Sequence, residues 1–546
     1  MMAPRSGSRN DRRDTKERAR AKRWRIAAIV LGAPLAVVML ALGASFLYPY
    51  VRGVQHVNAG TAAQRPLAIP PLAEPAIING EKVFTLTATD GRTELLPGAH
   101  SDTAGYNGSY LGPTIRARTG DRVRLQVTNR LGQTTTVHWH GMHVPARMDG
   151  GPHQPIAPGA TWSPHWTIQN SAATLWYHPH TLGATAQQVY SGLAGMFLID
   201  DDNSDTLGLP AQYGIDDIPL IVQDRNFDAD NKLTYLRNRT QDNFGELGDT
   251  ILVNGTHAPY LQVPRKLVRL RILNASNARR YNFGFSDERP FHQIATDGAL
   301  LPAAAERTRM LLSPGERAEI LVDMTDTDRP VTLMSYEVPG AATMYHLMRT
   351  LTVGDNDEYQ RFTILDLRPT GTPTPRVALP EKLNTIEPLR TEDSTRTRTF
   401  RITDRMSING QPMDHARVDE VVTKGDTEIW EIDNQEALFY HPFHIHHIQF
   451  QILDRDGRPP QAYEQGWKDT VDIAPFEKVR LIAKFDTYAD TQWPYMYHCH
   501  ILEHEDMGMM GQYIIVEQPA DKPTLQSPLI GQHHSSSGIG SHRHTA

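Results

Sequence analysis

The run His498-Cys499-His500, followed by His504 and Met509, holds the only cysteine of the chain and enough donor atoms for two metal sites. In an extended strand successive side chains point to opposite faces, so His498 and His500 are expected on one face and Cys499 on the other. His504 and Met509 lie five and ten residues past the cysteine, far enough along for a loop to fold back onto its sulfur. A thiolate with two imidazoles and a weak axial thioether is the ligand set of a blue-copper electron-transfer site. Cys499, His504 and Met509 supply three of the four ligands, and one imidazole must come from elsewhere. A solitary cysteine is otherwise a small buried hydrophobe, a reading that the flanking histidines disfavour.

Three further pairs repeat the His-x-His spacing: His138-Trp139-His140, His178-Pro179-His180, and His444-Ile445-His446 within His441-Pro442-Phe443-His444-Ile445-His446. At a spacing of two, each pair presents both rings on one face of a strand, and eight histidines can converge on one metal cluster. His441 precedes His444 by an odd step, so in a strand it points to the opposite face, the side that Cys499 takes relative to its own neighbours. It is the candidate for the missing imidazole, although Pro442 makes the strand irregular there.

The elements that must position these residues are short and β-rich. KVFTLTAT, RVRLQVTN, IPLIVQD, LVRLRILN, EIWEIDN, VRLIAKF and QYIIVE are separated by Gly, Pro, Asn and Asp, with no long amphipathic helix between them. An all-β chain of sandwiches is the expectation. Three similar lines, at Thr119–Asn129, Leu267–Asn274 and Lys424–Asn434, recur about every 150 residues and suggest one sandwich repeated three times. The boundaries then fall at 76–206, 207–360 and 396–519, with a Pro-rich linker at 361–395 and a spacer at 49–75. The tail 520–546 is rich in Pro, Ser, Gly and His; His533, His534, His542 and His544 could scavenge metal there, but a floppy tail is the plainer reading.

The 546 residues are 39% hydrophobic and 21% charged, as in globular proteins, and a single cysteine excludes an intramolecular disulfide. Residues 1–25 carry ten Lys or Arg against three acidic residues, so the overall charge of -7 hides +7 at the front and -14 in the remainder. Nucleic acid is therefore not expected as a partner of the main body. The uncharged run 26–48 would be about 35 Å long as a helix, against a hydrocarbon core of about 30 Å. Basic residues before it place the N-terminus in the cytoplasm and the body on the periplasmic or extracellular face, anchored to the membrane by 26–48. A cleaved signal segment, giving a secreted body, is the competing view.

His-Trp-His-Gly, Tyr-His-Pro-His, His-Pro-Phe-His-Ile-His and His-Cys-His-Ile-Leu-Glu-His-Glu-Asp-Met-Gly-Met resemble, in order, the four copper-binding motifs of the multicopper oxidases. The resemblance spans about residues 76–518. It implies three cupredoxin-like Greek-key β-sandwich domains and four copper ions. Type 1 copper would take His441, Cys499, His504 and Met509; type 2 copper His138 and His444; the type 3 pair His140, His178, His180, His446, His498 and His500. It also implies one-electron oxidation of a donor at type 1 copper, transfer through Cys499, and four-electron reduction of O2 to water at the trinuclear cluster. Asp149 and Glu505 match positions that act as proton-relay carboxylates in bacterial members; otherwise they are a turn-forming Asp before Gly-Gly and a solvated Glu.

The leading expectation is a laccase-like oxidase of phenols or similar organic donors. Alternatives are a metallo-oxidase of Cu(I), Fe(II) or Mn(II), and a non-enzymatic scaffold like the copper-free cell-division relative. Met334, Met344, Met348, Met406, Met413, Met507 and Met510 are potential soft ligands, but methionine is more often a core filler. The region 355–400, where copper-exporting members insert methionines, has none. His143, His153, His165 and His447 lie near the motifs and are read as surface or supporting groups, not ligands.

Overall fold

The computed structural model describes residues 65–235, 244–338, 361–437 and 439–525. The basic segment 1–25, the apolar run 26–48, most of the spacer 49–75, and the tail beyond 525 lie outside the described residues. Among the described residues no helix is long and apolar enough to cross a membrane.

Period-two alternation makes the strands. In Arg122–Asn129, Val123, Leu125 and Val127 are buried while Arg122 and Gln126 face solvent. Six sheets pair into three sandwiches, each with its own apolar core. The three similar lines take the same place in each. Arg122–Asn129 pairs parallel with Glu81–Thr93 and antiparallel with Thr161–Trp162 and His165–Thr167. Leu267–Asn274 pairs parallel with Asp217–Phe227 and antiparallel with Arg317–Asp323. Thr427–Asn434 pairs parallel with Ser394–Ile402 and antiparallel with Lys478–Lys484. The parallel partners are never joined by a hairpin, which is the crossing connection of a Greek key.

Two segments differ from the expected linkers. Phe362–Thr370, placed by the sequence in the linker 361–395, is a strand of the second sandwich, parallel to Pro259–Pro264 and antiparallel to Val331–Tyr336. Phe362, Ile364, Leu365 and Leu367 are all buried there, and the Pro-rich passage begins only after them. Arg65–Pro66, within the expected spacer 49–75, pairs with the outer edge of the same sheet, and the amide of Ala73 donates to Thr114 O in the first sandwich at 2.8 Å. Proline lacks the donor a central strand needs, so this run borders the sheet.

The first and second sandwiches meet over a buried ion cluster. Arg271 donates to Asp217 at 2.6 Å and to Glu319 at 2.8 Å; Arg269 also donates to Glu319, whose Oε1 accepts from Thr174 of the first sandwich at 2.7 Å. Burial opposes ionisation of Glu319, but Arg269 and Arg271 outweigh it and bring its pKa down to about 2.

Phe362→Ala is expected to destabilise the second sandwich by about 3–5 kcal/mol in chemical denaturation; an unchanged midpoint would put Phe362 outside the core. Because the Glu319 pKa is depressed, its stabilisation is full above the unfolded value of about 4.3 and is lost as pH falls through about 2. Glu319→Gln should remove that acid limb and, by leaving two guanidinium groups under-compensated, cost about 3–5 kcal/mol at neutral pH. Urea midpoints across the pH range would check both.

Candidate metal centre

Each His-x-His pair is carried at a strand end, and Trp139, Ile445 and Cys499, the central residues of three of them, are turned into a core. His138–His140 pairs with Ala173–His178 so that His138 stands opposite His178, and Trp139 between the two rings packs with Trp166 in the first sandwich. In the third sandwich, Phe443–Ile445 pairs with Tyr495–Cys499, setting His444 opposite His498 and Phe443 opposite Cys499. Ile445 and Cys499 enter the core of that sandwich. The eight paired histidines are thus turned away from both cores, and all eight are fully buried between the first and third sandwiches.

Their ligand atoms form groups within 4.8 Å: His180, His446 and His498; His140, His178 and His500; and His138 with His444 and His446. Nε2 atoms of His180, His446 and His498 lie 3.1–3.2 Å from one another. Nδ1 of His138, His178, His444 and His498 each donates to a backbone carbonyl, of Asp149 (3.0 Å), Pro179 (2.8 Å), Asp469 (2.8 Å) and Cys499 (3.0 Å). Each of these rings therefore carries its lone pair on Nε2, aimed inward. His140 is reversed: Asp469 Oδ1 lies 3.0 Å from its Nε2, leaving Nδ1 facing His178 Nε2 at 3.3 Å. Burial, with the neighbouring rings, drives His138, His140, His178, His180, His444, His446 and His500 well below the ordinary histidine pKa, so the rings are neutral. Nε2 of His138 and His444 and both nitrogens of His500 have no hydrogen-bond partner. Buried lone pairs that face one another, with protons excluded, fit metal cations.

The cysteine site is built by a chain reversal. Past His500 a single helical turn, Leu502–Asp506, carries His504 where a loop was expected. Gly508, at φ +105°, turns the chain back, and the amide of Cys499 then donates to Met509 O at 3.1 Å. Cys499 Sγ lies 3.4 Å from His441 Nδ1 and 3.7 Å from His504 Nδ1, and it accepts from the amide of Ile501 at 3.4 Å. Met509 is fully buried in the same core cluster. His441 precedes the strand Phe443–Ile445 and is held by reciprocal backbone hydrogen bonds with Ile473. Burial pushes the Cys499 thiol up; a bound cation reverses that balance and stabilises the thiolate.

Two carboxylates border the cluster. Asp149 Oδ2 lies 2.7 Å from His446 Nδ1, and Glu505 lies 3.3 Å from His180 Nδ1 and 3.2 Å from His498 Nδ1. Burial pushes both well above the carboxylate range, with Asp506 adding to the shift of Glu505, which is not the solvated residue its sequence context also allowed. Three supporting residues were not legible in the sequence. Asp469 contacts His140; Arg317 of the second sandwich grips both oxygens of Asp469 at 2.7 and 2.6 Å and donates to Thr174 O of the first; Glu436 Oε2 stands 3.0 Å from His441 Nε2. A charged pair in the strand-like run Trp467-Lys468-Asp469-Thr470-Val471 was the one available signal.

The remaining candidates are scattered. His165 is exposed beside Arg124, and His447 is buried, stacked on Tyr495 with Nε2 2.7 Å from Thr487 Oγ1. Met334 and Met510 are buried, Met406 is exposed, and Met344 and Met348 lie outside the described residues.

Three cupredoxin-like sandwiches, with a cysteine-centred group in the third and an imidazole cluster between the first and third, define a copper redox protein. The chain belongs to the multicopper oxidase family, whose models match residues 87–204 and 380–519. It is 37% identical to the multicopper oxidase mco of Staphylococcus aureus over 80% of this chain and 88% of the relative. It is 38% identical to the cell division protein FtsP of Escherichia coli over 86% and 96%. Among solved structures, a laccase from Pediococcus acidilactici superposes with a TM-score of 0.74 at 37% identity, covering 83% of this chain and 95% of that one. The protein is an oxidoreductase with O2 as acceptor and copper as cofactor, four ions per chain being typical of the family.

Gly315, at φ +83°, lies so close to His500 that an added Cβ would stand 2.8 Å from its ring. Gly315→Ala is expected to displace His500 and lower copper retention at the histidine cluster while the Cys499 chromophore persists; metal analysis paired with visible absorption would check it, and full copper content would refute the contact.

Proposed function

We propose that this oxidase is laccase-like, taking electrons from phenolic or similar aromatic donors beside His441 and His504. The observation that carries the reading is the complete donor set: ten histidines, Cys499 and Met509, buried, with unpartnered nitrogens among them. In this reading His441, Cys499, His504 and Met509 hold type 1 copper and His138 and His444 hold type 2. The groups His180-His446-His498 and His140-His178-His500 hold the type 3 pair. Bound there, copper supplies one-electron redox chemistry at the cysteine site and four-electron reduction of O2 at the cluster.

The protein's own residues do the rest. Cys499 is linked by one peptide bond to His498 and by another to His500, so the covalent path between the two sites is short. Glu436 fixes the ring of His441 with Nδ1 toward the sulfur. Asp149 and Glu505, whose pKa values burial raises, stand against His446 and against His180 and His498, where they would pass protons to the cluster. Phe439 lies 6.3 Å from His441 and 6.1 Å from His504, and Phe244 packs on it at 5.2 Å, an aromatic border suited to an aromatic donor. The similarity to a laccase structure supports the same class. The basic segment and apolar run at the front support export, with the body on the periplasmic or extracellular face.

The test is an absorption and copper assay of the loaded protein, followed by O2 uptake with a phenol and then with Cu(I). Absorption near about 600 nm and uptake with the phenol are expected; a colourless protein overturns the oxidase reading, and uptake with Cu(I) alone makes the donor a metal ion. Asp149→Asn should slow phenol-driven uptake by about 10- to 100-fold with the blue absorption intact; loss of the colour would make Asp149 structural.

A further inference from the structure

Two imidazoles outside the donor set meet edge-on where the first and third sandwiches meet. His153 lies in the loop after Asp149, and His415 in the loop between Ile402 and Glu420; their ring centroids are 5.0 Å apart at 67°. His153 is only 3% exposed. Its Nε2 is 2.7 Å from Oε1 of Gln512. The Gln512 side-chain amide is itself oriented, donating from Nε2 to the carbonyls of Asp414 at 3.3 Å, His415 at 3.2 Å and Arg417. Its Oε1 is therefore an acceptor, His153 carries its proton on Nε2, and the lone pair is on Nδ1. That Nδ1 is buried and has no hydrogen-bond partner, and neither has Nδ1 of His415.

A buried acceptor left without a donor costs about 1–3 kcal/mol, so Nδ1 of His153 needs a partner. A proton does not serve, because burial, opposed by the Gln512 bond and reinforced by His415, brings His153 down to about 4, and burial also lowers His415. Of the neighbouring carboxylates, Asp419 accepts from Arg417 and from the amide of Gln512 at 2.8 Å, and exposed Asp414 accepts from the amide of Ala416 at 2.9 Å through Oδ1. A divalent ion would find two neutral nitrogens and little charge compensation, whereas closed-shell Cu(I) accepts two imidazoles alone and brings a single charge. The hydrogen bond from Nε2 to Gln512 is the outer contact that orients a metal-bound histidine. Gln411, Pro412, Asp414 and Ala416 are exposed, so the pair is reached from the surface through the loop that carries His415.

We propose that His153 and His415 form a two-imidazole site for one Cu(I) ion, separate from the resident copper sites. The test titrates the reduced, fully copper-loaded protein anaerobically with Cu(I) buffered by a chromophoric chelator. Wild type is expected to retain one Cu(I) beyond its resident complement. His415→Ala and His153→Phe should each weaken that binding at least tenfold, with the blue absorption after reoxidation and phenol-driven O2 uptake unchanged in His415→Ala. Equal retention in wild type and His415→Ala, or no extra ion in wild type, overturns the proposal. Should His153→Phe fail to load copper, His415→Ala decides alone, since its loop is on the surface.

Discussion

The interior of this protein depends on the mutual burial of neutral imidazoles. Eight rings packed between two sandwiches, two pairs of them stacked at 3.7 Å, would repel one another if protonated and leave lone pairs unsatisfied if not. Cations inside the cluster remove both penalties. The first and third sandwiches therefore share an interface that metal would stabilise.

Among the described residues the second sandwich contributes no histidine to the cluster, yet it sets the cluster's edges. Arg317 reaches from it to Asp469 and to the backbone of the first sandwich, so one guanidinium spans all three units. Lys468 beside it pairs with Asp297 at 2.8 Å and Glu316 at 3.0 Å, adding a second cation to the network. Gly315, two residues before Arg317, lets the second sandwich close directly over His500. A unit without ligands thus fixes the position of those that have them.

Spacing made the convergence of the paired histidines legible, because a period of two translates directly into one strand face. The threefold repeat was equally readable, since each similar line fills the same parallel position in its sandwich. Other features depended on contacts that spacing does not encode. Arg317 and Asp469 are 152 residues apart and meet only when sandwiches dock. Phe362–Thr370 was hidden by its Pro-rich neighbour, and Arg65–Pro66 by a composition that suits a spacer as well as a sheet edge. His441 approaches Cys499 from outside the strand, a geometry the parity argument did not assume.

The distance along the chain between the facing rings has a topological consequence. His180 and His498 are 318 residues apart, and their Nε2 atoms are 3.1 Å from each other. A metal ion held by both closes a loop of that length, a restraint worth about 6 kcal/mol of unfolded-chain entropy by the relation used for disulfides. A protein with one cysteine would thereby acquire a reversible long-range crosslink, and metal starvation would loosen the chain as reduction loosens a disulfide-bonded one.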